Sequence, residues 1–465
     1  MPGHTATSER TFVDVDPSTG AVLAEIPCAD DMQVEAAVAA ARAALPAWAA
    51  LGLDGRIEVL ERVAKRFEDE TLIERLASLT TSEMGKPLVA ARREAAGMAR
   101  GVRNGSKTAA EALAPVETRE ENTVTRISRE PLGVVAAITP WNFPLGMARE
   151  IIVPALTAGN TVVFKPSELV PLTGDAMYEA FAAELPAGVL QLVQGDDQTG
   201  KALVAAEIDM VGFVGSVEAG RHIMAACGAG LKRIVLELGG KDPMIVCKDA
   251  DLEVAAEFAV RESMRNSGQV CCGVERIYVE KAVAERFTEL VVDKARELSV
   301  GNPREDVFMG PMSNEGQRRH VLDQVEDAAK RGADVLCGGG PIQGQGFFMT
   351  PTVVAGVDES MALMTKETFG PVAAIRTVDD ADEAVALAND SEYGLGASVW
   401  CGSNEAGVAI AARLESGQVG VNRGLGGAGD PPWAGAKQSG FGFLGSPDGY
   451  RQFSRPMSVS WNVPE

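Results

Sequence analysis

From Pro131 onward the chain alternates short apolar runs with stretches of helical length, and this rhythm restricts the fold more than any other feature. The runs "GVVAAI", "TVVFK", "VLQLVQ", "MVGFV", "IVLEL" and "PMIVC" lack the polar alternation of a half-exposed sheet. They read as parallel strands buried on both faces. Segments 146–158, 171–185 and 217–229 between them have helical length and spacing. Strand and helix in turn predict a doubly wound α/β sheet. A second α/β alternation starts at "DLEVAAEFAV", includes "RIYVE" and "ASVW", and ends near 423. Glycines and prolines crowd 424–449, which reads as a loop-rich closing segment.

Residues 30–113 read as helix. Asp30 and Asp31 are good N-cap types ahead of an alanine-rich segment. "LDGRIEVLERVAKRFEDETLIERLASL" repeats apolar positions every three or four residues and is predicted as an amphipathic helix. A third helix is expected over Pro87 to Leu113. "PVETREENTVTRISREP" then mixes charges with β-formers, as an exposed, projecting hairpin does.

At 465 residues the chain has room for two or three domains. Its formal net charge of -22 disfavours phosphate backbones and anionic lipid, so neither nucleic acid nor membrane is an expected partner. No apolar run is long enough to span a bilayer, and "MPGHTATSER" lacks the apolar core of a secretory signal. The 7 cysteines have no metal-ligand spacing, which predicts free thiols in a reducing cytoplasm and no metal. Only three histidines occur, His4, His222 and His320, so a general base is expected to be a carboxylate.

The stretch "RNSGQVCCGVER" sets Cys271 beside Cys272. A disulfide between neighbours closes a strained ring, so one of the two reads as a thiolate nucleophile. "IVLELGGKDP" carries Glu237 in an almost wholly apolar run, where burial raises a carboxyl toward base duty; a structural buried glutamate is the plainer reading. "AITPWNFPLG" brackets Asn142 between prolines, which makes it a rigid amide donor for an oxyanion or else a turn asparagine.

Two segments compete for a nucleotide. "GDDQTGKA" approaches a phosphate loop, but Ala202 stands where the magnesium-binding hydroxyl belongs, and Asp196 and Asp197 would oppose phosphate. A phosphotransferase is therefore the remote reading. "MVGFVGSVEAG" places Gly215 and Ser216 at a strand-to-helix turn, where helix N–H groups can hold a pyrophosphate. Lys165 and Glu168 of "VVFKPSE" end a strand where ribose hydroxyls would lie, or are simply a solvated loop pair.

Taken in order and spacing, "PWNFP", "FKPSE", "FVGS", "ELGGKDP", "GQVC" and "ETFGPV" resemble the aldehyde dehydrogenase superfamily over essentially the whole chain. The resemblance implies a Rossmann-type NAD(P)-binding domain from 1–113 and 132–239 and an α/β catalytic domain from 240–454. It also implies a small β oligomerisation element from 114–131 and 455–465, hence a homodimer or homotetramer. Cys271 would be the nucleophile, Asn142 and the Cys271 N–H the oxyanion donors, and Glu237 the base that activates water against a thioester. Trp141, Lys165, Ser167, Glu168, Gly215, Ser216, Glu367 and Phe369 would contact NAD, or NADP in dual use, with Glu168 repelling a 2′-phosphate. A silent binding protein on this scaffold would have lost Cys271 or Glu237.

For the small aldehyde substrate, Phe143, Met147, Trp433 and Arg265 are the implied contacts. Arg265 sits six residues before Cys271, where succinate-semialdehyde dehydrogenases carry a carboxylate-binding arginine. Their second arginine aligns instead with Glu150, which would oppose an anionic substrate, and Arg149 is one residue, about 100°, away. A carboxylated semialdehyde and a neutral aliphatic or aromatic aldehyde are the two expectations. Val214 and Ala434 depart from the common pattern near cofactor and substrate mouth.

Overall fold

Five of the predicted runs do pair side by side in the computed structural model, which describes residues 10–463. The strands are ordered Gly440–Phe441, Arg233–Glu237, Met210–Val214, Val134–Ile138, Thr161–Lys165 and Leu190–Leu192. All neighbours are parallel except the first pair. Strand order reverses at Val134–Ile138, so a crevice opens beyond its end and that of Met210–Val214. Doubly wound sheets bind ligands at such a switch point.

The second sheet has seven strands, in the order Asp334–Cys337, Thr352–Ala355, Val372–Val378, Val274–Glu280, Asp242–Val246, Gly396–Trp400 and Gln418–Val421. Its first pair is antiparallel and the others parallel. "PMIVC" thus follows the first alternation in sequence but sits at the heart of the second sheet. An apolar run specifies burial, not which sheet buries it.

Two local expectations need correction. The long amphipathic stretch is two helices, Gly52–Arg66 and Glu70–Met84, because Asp69 takes the backbone N–H groups of Thr71 and Leu72 and starts a new N-terminus. Phe67 at the break is wholly buried, so the apolar rhythm passes through it unmarked. The closing segment 424–449 also holds structure. Gly440–Phe441 adds to the first sheet, and Ser446–Gln452 is a helix against Leu88–Leu113.

Other boundaries agree with the sequence. Asp30 forms a capping box with Gln33 ahead of Asp31–Ala50. Asp196 caps Asp197–Ala205 by accepting from Gln198 and Thr199, so its carboxylate fills the position a phosphate would need. The hairpin Val116–Glu120 and Thr123–Pro131 gains a third antiparallel strand, Ser454–Asn462. Among the described residues no single helix is long and apolar enough to cross a membrane.

Candidate active site

The stretch from Arg265 to Cys272 links the helix Leu252–Met264 to the strand Val274–Glu280 through a tight turn. Asn266 and Ser267 adopt φ of 54° and 57°, in the left-handed region that side chains usually avoid. Hydrogen bonds hold that geometry. Asn266 Nδ2 donates to the carbonyls of Asn142 (3.2 Å) and Gln269 (3.1 Å), while the fully buried Gln269 side chain binds Asn266 O and the Ser313 N–H. The glutamine beside the cysteines is therefore a strut.

The same turn orients Asn142. Its Nδ2 donates to Gln269 O at 3.1 Å, and its Oδ1 accepts from the Phe143 N–H at 3.1 Å. One amide hydrogen is thus committed and the rotamer fixed, leaving the second hydrogen for a developing negative charge. The backbone passes within contact distance of Gly240, where a Cβ would lie 2.5 Å from the Cys271 carbonyl oxygen. At Gly239 a Cβ would strike the Glu367 carboxylate. Both glycines of "ELGGK" are required by close approach, not by a turn.

Glu237 ends its strand with 3% of its surface exposed, and among the described residues no side chain bonds its carboxylate oxygens. Burial pushes its carboxyl well above the usual range. The two thiols hydrogen-bond to each other. The hydrogen bond to Cys272, burial, and the nearby Asp242 and Glu237 raise Cys271. The hydrogen bond from Cys271 lowers Cys272, helped by the Arg265 guanidinium 3.9 Å from its sulfur.

A cavity of about 380 Å³ gathers these groups. It is lined by all three predicted catalytic residues, Cys271, Glu237 and Asn142, and by Arg265, Phe143, Met147 and Trp433. Trp141, Gly215, Ser216, Glu367 and Phe369 close its other side. A groove of about 630 Å³ adjoins it through Trp141, Val214, Gly215 and Ser216 and runs out to Lys165, Ser167 and Glu168. Every predicted site residue lies in one or both. Ser216 caps Val217–Ala229, so free helix N–H groups and a positive dipole end face the groove at the switch point. Lys165, 4% exposed, donates to the Pro166 carbonyl and lies 3.9 Å from Glu168. These residues fit a dinucleotide: buried cation, anion-binding helix end, and acidic ribose acceptor.

Glu150 is the correction. It lines a different cavity and is ion-paired with Arg149, which lines that cavity too. Neither faces Cys271, so Glu150 does not oppose an anion there.

Several working residues were given no role by the sequence. The buried Lys241 donates to Glu275 (2.6 Å) and Thr368 (2.7 Å), and Glu275 accepts from the N–H groups of Thr368 and Phe369 at 2.8 Å. Gln317 binds the carbonyls of Thr368 and Phe369. This network holds Phe369 at φ 50° with its ring 5.5 Å from Trp141. Lys86, buried and paired with Glu94, lies 4.1 Å over the Phe143 ring, and Glu94 accepts from Leu145 and Gly146 at the start of Pro144–Thr157. Glu94, Glu275 and Gln317 are lone polar residues on ordinary helices or strands, Lys86 and Lys241 lie in short loops, and only contact across the fold reveals what they do.

A partly exposed thiol and a buried, proton-accepting carboxyl in one cavity, opening on a dinucleotide groove, define a thiol-dependent oxidoreductase. The model of the aldehyde dehydrogenase family matches residues 4–459. The chain is 37% identical over 96% of its length to a protein of Sinorhizobium fredii (strain NBRC 101917 / NGR234) named probable succinate-semialdehyde dehydrogenase (NADP(+)), of which 92% is covered. It is equally 37% identical, over 98% of its length and 99% of the relative, to succinate semialdehyde dehydrogenase (NAD(P)+) Sad of Escherichia coli (strain K12). The crystal structure of lactaldehyde dehydrogenase from Escherichia coli superposes with a TM-score of 0.94 at 32% identity, covering 98% of this chain and 97% of that one. The chain belongs to the aldehyde dehydrogenase family and is an NAD(P)-dependent oxidoreductase of aldehydes.

Proposed function

We propose that the enzyme oxidises a carboxylated semialdehyde of about the size of succinate semialdehyde, preferring NAD to NADP. Cys271 sulfur attacks the aldehyde carbon, and the resulting oxyanion accepts from the Asn142 side chain and the Cys271 N–H. When bound, the nicotinamide supplies the hydride acceptor. Cys271 then carries the acyl group as a thioester. Glu237 takes a proton from the water that attacks it, the carboxylic acid leaves, and the sulfur is freed.

One observation carries the substrate class: Arg265 shares the Cys271 cavity, while Glu150 does not. Glu262 binds Arg265 Nε at 2.5 Å, which orients the guanidinium and leaves its other nitrogens for a carboxylate. Glu168, Asp196 and Asp197 in the cofactor groove disfavour a 2′-phosphate. The apolar walls Phe143, Met147, Val270 and Trp433 favour the second reading, oxidation of neutral aldehydes.

The exposed Val116, Ile127, Met457, Val459 and Trp461 on the three-stranded sheet support self-association as a homodimer or homotetramer. Free thiols support a cytoplasmic setting. NADH formation from succinate semialdehyde and from butanal tests the substrate. A strong preference for the semialdehyde that Arg265→Ala erases sustains the reading; equal turnover refutes it.

A further inference from the structure

The cofactor side of the catalytic cavity lies between two walls. Gly215 and Ser216, at the start of helix Val217–Ala229, form one; Gln317, Glu367 and Phe369 form the other. The helix follows Met210–Val214 of the first sheet, and the segment 367–369 leads into Val372–Val378 of the second. A dinucleotide that spans the cavity and its groove must enter and leave between the two walls.

Glu392, which does not line the cavity, touches both walls from outside. Its carboxylate is 3.4 Å from the guanidinium of Arg221, on the second turn of the helix. It is also 3.2 Å from the Lys366 ammonium, one residue before Glu367. One carboxylate therefore joins a cation of each wall. The next residue adds a second hold on the same segment. The Tyr393 phenol oxygen accepts from the Glu367 backbone N–H, and burial and the Glu367 carboxylate push the phenol up to about 12.

The root of this loop, which joins helix Ala381–Asn389 to strand Gly396–Trp400, is fixed. The Gln438 N–H donates to the Glu392 carbonyl at 3.0 Å, and the Gly394 N–H to the buried Ser439 hydroxyl at 2.9 Å. Ser439 in turn donates to the Gly239 carbonyl at 2.7 Å, and its own carbonyl accepts from Leu238 at 2.9 Å. The loop is thus anchored to the turn that follows Glu237. Its tip differs, since Arg221 and Lys366 are both exposed. Exposed ion pairs are screened by water and part easily.

We propose that Glu392 is a positioning residue for the cofactor: by joining Arg221 to Lys366 it clasps helix Val217–Ala229 to the Glu367 segment, and this clasp parts when NADH leaves. The inference rests on the reading that Glu367 holds the nicotinamide ribose. A clasp across both walls resists their separation, so it governs how long the dinucleotide stays.

The test follows NADH on the intact enzyme, its dissociation into excess NAD by stopped-flow fluorescence and its Kd by titration. Glu392→Gln breaks both ion pairs and should speed NADH release about fivefold, with Kd weakened to match. Arg221→Gln and Lys366→Gln break one pair each and should speed release about twofold to threefold. The double variant Arg221→Gln, Glu392→Gln should release NADH no faster than Glu392→Gln, because both changes open one contact. Lys330→Gln, which removes an exposed pair with Glu326 on a remote turn of helix, should match wild type.

If Glu392→Gln releases NADH at the wild-type rate while Glu367→Gln weakens NADH binding, the clasp is refuted and the cofactor reading stands. A double variant whose effect is the product of the two single effects also refutes it, since the charges then act separately. If NADH affinity is indifferent to Glu367→Gln, the ribose reading falls and the clasp with it.

Discussion

Arg265 directs a guanidinium nitrogen at the Cys272 sulfur, 3.9 Å away, while Glu262 holds its Nε at 2.5 Å. The arginine is thus anchored from behind and presented beside Cys272, the neighbour of the proposed nucleophile Cys271. Removing the anchor should loosen the carboxylate grip without removing the charge. Glu262→Gln is expected to raise KM for succinate semialdehyde several-fold with little change in kcat. Arg265→Ala should cost about 30–100-fold in kcat/KM, the worth of a charge-assisted hydrogen bond of about 2–3 kcal/mol. Steady-state kinetics with butanal as reference separates the two.

Glu237 is buried and its carboxyl is raised by that burial, so at low pH it is protonated and cannot serve as base. Turnover should therefore climb as pH rises through its elevated pKa. In Glu237→Gln that limb should vanish, with steady-state rate down at least about a hundredfold while the first turnover still releases NADH. Stopped-flow absorbance checks both.

Asp14 is buried against Glu83, and burial lifts its carboxyl to about 6 from an ordinary 3.8. A raised folded-state pKa means the native state prefers the proton. Stability from this group is full below the unfolded value and is lost as pH rises toward 6, a change on the order of 2–3 kcal/mol. Asp14→Asn should therefore gain on wild type as pH rises from 4 to 7. Urea midpoints across that range read the difference, and a gap that shrinks with pH would contradict it.

Lys241 and Glu275 form a fully buried ion pair whose carboxylate also holds the N–H groups of Thr368 and Phe369. Breaking it leaves an uncompensated charge. Glu275→Leu is expected to destabilise by about 3–5 kcal/mol, seen as a lower denaturation midpoint. Glu275→Gln retains an acceptor and should instead show mainly weaker NAD binding.

Cys271, Glu237 and Asn142, which line one cavity, could be singled out in the sequence because each has a chemistry that stands out locally: paired thiols, an acid in an apolar run, an amide between prolines. Gln269, Asn266 and Glu275 stayed hidden because their roles are contacts with residues distant in the chain. The break at Phe67 to Asp69 was missed since both helices bury their apolar faces in one core, and only the capping carboxylate betrays it. Glu150 was misjudged because alignment fixes position along a helix but not which cavity the side chain meets. A two-residue strand such as Gly440–Phe441 has no period to read.

Cys271 and Cys272 are adjacent, partly exposed and joined by a hydrogen bond between their thiols, so the most direct test is which sulfur carries the acyl group. Glu237→Gln, mixed with NAD and succinate semialdehyde and quenched in acid, should accumulate a succinyl thioester that peptide mass mapping assigns to Cys271. Cys272→Ala in the same background should still accumulate it. An adduct on Cys272, or none on either sulfur despite NADH release, would contradict the mechanism.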